Sequence, residues 1–191
     1  MQTKTHLALG HYLLAKEPDY SLHRYSGLFL MGCMEPDYNL ATYLRGLKGH
    51  GVFHGHNAAN SFAYVSGCLD SFEESGPHSG WDYFRLGAMF HYVADAFTGP
   101  HNEFWTGNIV SHAVYELKLH DVFVRELDKQ DGYVPDWMEE VSLLEYFEAE
   151  HKRYCESEKG LHTDSRYIVK ACSTLLRAVL DKDREHGKPV A

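Results

Sequence analysis

The sequence predicts an all-α protein, a single-domain helical bundle over residues 1–191. Apolar residues recur at three- and four-residue intervals through nearly every segment, which is the period of a buried helix face. Glycine, proline and short polar runs punctuate those segments as helix stops. Two His–carboxylate pairs at i,i+4, His91/Asp95 and His112/Glu116, flank the break Gly99-Pro100-His101. Residues four apart on a helix project from one face about one turn apart, so each pair can grip one cation and the bundle acquires a metal cleft between its helices.

Taken in order, the first helix runs from a Thr3 or Thr5 cap to about Lys16 and stops at Glu17-Pro18-Asp19, with His6 in its first turn among Leu7, Leu9, Leu13 and Leu14. The second spans about Leu22 to Met34 and ends at Glu35-Pro36, because proline disfavours helix at and before itself. Asp37 then lies outside it and can cap a segment from Asn39 to Leu47. Residues 45–57 form a glycine-rich loop carrying His50, His54 and His56. A helix resumes near Asn57 and runs to about Phe72. The central helix covers Trp81 to Phe97, with Leu86, Met89, Phe90, Val93 and Ala94 as its stripe. Asn108 or Ser111 caps a long helix to about Leu127, whose stripe is Val114, Leu117, Val122 and Phe123. The last two helices run from Trp137 to Glu156 and from Asp164 to Asp183.

Composition narrows the function classes. The net charge of −9 with His neutral argues against a wide nucleic-acid face, which needs a basic patch. The N-terminal apolar run is short, broken by Gly10 and His11, and shows no cleavage site. No apolar stretch approaches the ~20 residues of a membrane span, so a cytoplasmic location is expected. Cys33, Cys68, Cys155 and Cys172 are scattered without a C-x-x-C, as buried thiols in a reducing compartment are.

Imidazole and carboxylate are ordinary zinc ligands and also suit iron or manganese. With 14 His in the chain, some His-xxx-Asp or His-xxx-Glu pairs arise by chance. A lone pair is more often a surface contact; two pairs flanking a His at a helix break favour metal. Taken together, Thr5-His6, Glu35-Pro36-Asp37, Gly55-His56-Asn57, the run His91, Asp95, His101, and the pair His112, Glu116 resemble the zinc-dependent phospholipase C family. That all-helical superfamily also includes the single-strand-specific fungal nucleases. The likeness covers roughly residues 5–116, and His56 is preferred to His50 and His54 for its place at a helix start.

The resemblance implies a cleft with two or three zinc ions. One is held by Asp37, His56, His91 and Asp95, a second by His101, His112 and Glu116, and a third by His6, a shared Asp95 and the N-terminal residue. In secreted relatives the mature N-terminus, often tryptophan, supplies that last ligand. Here the start is Met1-Gln2, and the third site is absent, weaker or built from the Met1 amino group. The reaction implied is hydrolysis of a phosphoester by metal-activated water, with Asp37 orienting the water or accepting its proton. Two alternatives stand beside it. One is a metal-binding helical protein without turnover. The other is a nuclease-like phosphodiesterase, for which Phe53, Phe104 and Trp105 are candidate base-stacking residues.

Overall fold

The computed structural model describes residues 1–38, 58–129 and 141–186, and these residues form helices and no strand. The helices are α1 (Thr3–Lys16), α2 (Tyr20–Arg24), α3 (Ser26–Tyr38), α4 (Ala58–Ser75), α5 (Gly80–Ala96), α6 (Ile109–Lys129), α7 (Leu143–Glu156) and α8 (Leu161–His186), with a 3-10 turn over Gly99–His101. The expected stretch Asn39 to Leu47 and the histidine loop, including His50, His54 and His56, lie outside the described residues.

Helix α5 is the axis of the fold. It starts in a capping box, in which Ser79 Oγ accepts from Asp82 N–H and the Asp82 carboxylate accepts from Ser79 N–H. From Leu86 to Asp95 every residue is buried. A helix apolar all round belongs in the interior, and α3, α4 and α8 pack against it. Helix α8 buries Ile168, Cys172, Leu175, Leu176 and Val179 at helical spacing and packs on α4, α5, α6 and α7.

The α3–α5 crossing is set by two glycines. A Cβ on Gly32 would stand 2.1 Å from the carbonyl oxygen of Phe84, and one on Gly87 would stand 2.0 Å from that of Phe29. The two backbones therefore touch, and Phe29 packs edge-on to Phe90 beside the contact. This closeness brings the last turn of α3 alongside the last two turns of α5, where the polar residues of both helices gather.

Several boundaries differ from the sequence expectation. The second helix is two, α2 and α3, with Asp19 capping the first through Leu22 N–H. Helix α3 continues through Pro36 to Tyr38, so Asp37 is helical rather than beyond the helix end. Pro36 sits in the last turn, where its missing N–H removes a single ladder bond. Neither Thr3 nor Thr5 caps α1: Gln2 is the N-cap residue, without a side-chain hydrogen bond. Asn108 does cap α6, accepting from Val110 and Ser111 N–H. Helix α7 begins at Leu143 behind a Ser142–Glu145 capping box, later than expected, and α8 begins at Leu161, placing Asp164 inside its first turn.

Replacing Gly87 with alanine tests the crossing. A methyl group pressed on a backbone carbonyl cannot turn aside, and overpacking of this kind costs about 1–3 kcal/mol. The melting temperature followed by circular dichroism should fall by a few degrees, up to about 10 °C. An unchanged melting temperature would contradict the contact.

Candidate metal centre

The polar residues buried among α1, α3, α5, α6 and the 3-10 turn converge on Asp95. Its side chain is 6% exposed. The His6 Nε2, His91 Nε2 and His101 Nε2 atoms lie 3.3, 3.4 and 3.7 Å from its carboxylate oxygens, and the Met1 amino group donates to it. Two groups of potential ligand atoms result, each within 4.8 Å of one another: His6, His91 and Asp95, and His101, His112 and Glu116. Within the second, His112 Nε2 and Glu116 Oε1 are 2.8 Å apart and the His101 and His112 rings meet edge to face. The Met1 amino group lies 3.3 Å from Glu116 and so stands between the groups.

Asp37, from the last turn of α3, completes the cluster on the solvent side. Its Oδ1 is 3.7 Å from His91 Nε2, and its Oδ2 accepts from the Thr3 hydroxyl at 2.6 Å. An open cleft bounded by Met1, Gln2, Thr3, Lys4, Asp37 and Glu116 leads to it. On the inner side, an enclosed cavity lined by Phe62, Val65, Tyr92 and Phe147 abuts Asp95 and His101. It offers a water about 20 Å³ of room, enough for about one molecule, whereas the cleft on the other side is open to solvent.

Hydrogen bonds behind the cluster orient two imidazoles. His91 Nδ1 lies 3.0 Å from the Cys33 carbonyl oxygen, which can only accept, so Nδ1 carries the proton. Thr98 Oγ1 donates to the Asp95 carbonyl oxygen and lies 2.7 Å from His101 Nδ1, which therefore donates to it. In both rings the Nε2 lone pair is left facing the carboxylates, the arrangement in which imidazole binds metal. Burial, helped by the proximity of His91, lowers the pKa of His6 to about 3. Burial also takes His101 to about 3, against the pull of Asp95. Both rings are neutral at physiological pH.

The carboxylates are shifted the other way. Burial pushes Asp95 up, but His101, the Met1 ammonium and His6 outweigh it and hold the carboxyl well below its usual 3.8. Burial likewise acts against Glu116, and the His112 hydrogen bond and the Met1 ammonium bring it to about 2. Burial disfavours the Met1 ammonium, yet Asp95 and Glu116 raise its pKa above the usual 8.0.

These residues fit zinc. The donors are imidazoles and carboxylates, ordinary zinc ligands, and burial keeps the His6 and His101 rings neutral. His6 is 1% exposed, stacks on His91 with 3.6 Å between ring centroids, and neither of its ring nitrogens has a hydrogen-bond partner among the described residues. A buried nitrogen left so is costly unless something else satisfies it, and a cation beside Asp95 would do so.

The structure thus brings together seven of the eight residues singled out in the sequence: His6, Asp37, His91, Asp95, His101, His112 and Glu116. The eighth, His56, lies outside the described residues. His6 and His91 both stand within reach of Asp95, in one group with it. His120 is not in the cluster; its Nδ1 pairs with the Thr5 hydroxyl at 3.0 Å.

Three contributors escaped the sequence reading. Thr98 had a local signal, a hydroxyl three residues before His101 at a helix break. Thr3 and Asp164 had none. Asp164, buried in α8, accepts from Gly99 N–H, 65 residues away, and from the Tyr115 and Tyr154 hydroxyls at 2.7 and 2.9 Å. It ties the turn that carries His101 to α6, α7 and α8.

The fold and the site define an all-helical protein with a buried cleft of histidines and carboxylates suited to divalent cations. The sequence model of the zinc-dependent phospholipase C family matches residues 5–174, and the chain belongs to that family. Comparison with curated proteins and with solved structures finds no match.

Removing the Asp164 carboxylate should loosen the turn. In Asp164→Ala the buried Tyr154 hydroxyl and Gly99 N–H lose their acceptor, at a cost of about 1–3 kcal/mol each, offset in part because the carboxylate is itself desolvated. A denaturant melt is expected to show a net loss of about 2–4 kcal/mol, and a smaller one for Asp164→Asn, which keeps an acceptor oxygen. Equal stability of all three proteins would remove Asp164 from the support of the turn.

Proposed function

We propose that the protein is a zinc-dependent phosphodiester hydrolase of the phospholipase C type. In this reading His6, Asp37, His56, His91, Asp95, His101, His112 and Glu116 hold two or three zinc ions, and Asp37 also acts on the attacking water. The observation that carries the reading is the convergence of two His/carboxylate groups on one buried carboxylate, Asp95, in a chain of this family. Bound zinc supplies Lewis acidity towards a phosphoryl oxygen and towards water.

The protein's own groups do the rest. His91 and His101 are held with Nε2 towards the cleft by the Cys33 carbonyl and the Thr98 hydroxyl. Asp37 borders the open cleft, and Thr3 fixes one of its oxygens. A carboxylate so held can accept a proton from water approaching the phosphorus, or orient that water by a hydrogen bond. Lys4 on the same rim offers a positive charge to the anionic phosphodiester. The net charge of −9 weighs against a nucleic-acid substrate.

Two measurements test this reading. The purified protein should carry at least two divalent ions per chain, and chelation should lower its melting temperature. His112→Ala should lose the ion shared with His101 and Glu116 while retaining metal at His91, and Asp95→Ala should lose more. Unchanged metal content and melting in both variants would make these residues ordinary polar contacts.

Asp37→Asn separates binding from catalysis. It keeps the shape and the Thr3 hydrogen bond but removes the charge and the proton-accepting ability. Phosphodiester turnover should fall by roughly 10²–10⁴-fold with little change in metal content measured on the same samples. Equal turnover would remove Asp37 from catalysis, and metal lost in step with activity would make it a ligand only.

A further inference from the structure

Helix α6 carries apolar residues on two sides, one of them exposed. Val114 and Leu117 were expected in its buried stripe, yet they are 43% and 51% exposed, and Ile109 and Val110 are 84% and 67% exposed. With Ala113, also exposed, they line the outward side of the first three turns. From Thr106 to Leu117 every exposed residue is uncharged, in a chain of which 24% of residues are charged. The inward side of the helix is held by Leu119, Val122 and Phe123, which lie further along it. Contiguous exposed apolar surface of this kind marks an interaction site.

Two further observations say what covers it. The strip is continuous with the mouth of the candidate centre. Glu116, next to Leu117, lines the open cleft, and His112 lies between Val110 and Val114 on the adjoining side of the same turns. An uncharged strip also matches an uncharged surface. On a chain of net charge −9, repulsion opposes an anionic bilayer. The first charge met along the exposed side is the cation Lys118, with Lys4 on the cleft rim, and both suit a phosphate. Against a second copy of the chain stands size: three helical turns are a small part of the roughly 800 Å² that each partner of a stable dimer buries.

We propose that the first three turns of α6 dock on a zwitterionic phospholipid surface, seating Ile109, Val110, Val114 and Leu117 among the upper acyl chains and presenting the metal cleft to the headgroup phosphate. This rests on the reading of the site as one for phospholipid esters. An interfacial helix binds through the apolar area it buries, and here that area lies beside the reacting centre.

The test uses the full chain loaded with zinc and a double variant, Ile109→Glu with Val110→Glu. Both positions are exposed and lie in the first turn of α6, where acidic side chains favour a helix, so the variant is expected to fold. Wild type should co-sediment with dioleoylphosphatidylcholine vesicles, and the variant should bind them at least about tenfold more weakly. Hydrolysis of monomeric, water-soluble dihexanoylphosphatidylcholine should be the same in both.

Wild type remaining in the supernatant, or the variant binding vesicles equally well, would overturn the proposal. So would a dimeric wild type and a monomeric variant in sedimentation equilibrium, which would assign the strip to a second copy. Failure of both proteins to hydrolyse the soluble ester would count against the proposed reaction. The vesicle arm needs no turnover and is decided separately.

Discussion

A buried carboxylate has to be compensated: the Met1 ammonium donates to Asp95 directly, and three imidazoles from different parts of the chain gather around it where a cation would complete the balance. The Met1 amino group and His6 come from the N-terminus and α1, His91 from α5, and His101 from the turn after it. An ionised carboxylate in a protein interior is strongly destabilising without such partners. The docking of α1, the depth of α5 and the conformation of the Gly99–His101 turn are therefore coupled through one side chain. The same arrangement suits divalent cations: burial keeps the His6 and His101 rings neutral, the imidazole nitrogens converge, and the carboxylates are already in place.

The precision of that convergence comes from backbone contacts rather than from the ligands. Gly32 and Gly87 let α3 and α5 meet backbone to backbone, which sets Asp37 across from His91 and puts the Cys33 carbonyl within reach of the His91 ring. A wider crossing would lose both. On the other side, Asp164 reaches from α8 to the first N–H of the turn and to two tyrosine hydroxyls. The candidate ligands stand on rigid elements whose positions are fixed by groups that never touch the cleft, as a site with exacting geometry needs.

Helix α6 serves three directions at once. One side packs Leu119 and Phe123 into the core, a second carries His112 and Glu116, and the third leaves Ile109, Val110, Val114 and Leu117 to solvent. A helix with two apolar sides is ambiguous to periodicity alone, since the pattern records that a residue is apolar and not what it packs against. That is why Val114 and Leu117 read as core in the sequence and lie on the surface in the fold.

By itself the sequence determined the all-helical class, the central helix and the residues that could bind metal. Those features are written in short-range terms: the 3.6-residue period, the capping serines and prolines, and the i,i+4 spacing of His91 with Asp95 and of His112 with Glu116. Only the tertiary structure decided that His6 stacks on His91 beside Asp95, since both partners are distant in sequence. It also carried α3 through Pro36 to bring Asp37 in on a helix, turned Thr3 and Thr5 from expected caps into partners of Asp37 and His120, and recruited Asp164 to the turn. The physical reason is common to all four. Each depends on how closely two helices approach, and that distance is set by packing across the bundle, to which residues far apart in the chain contribute together.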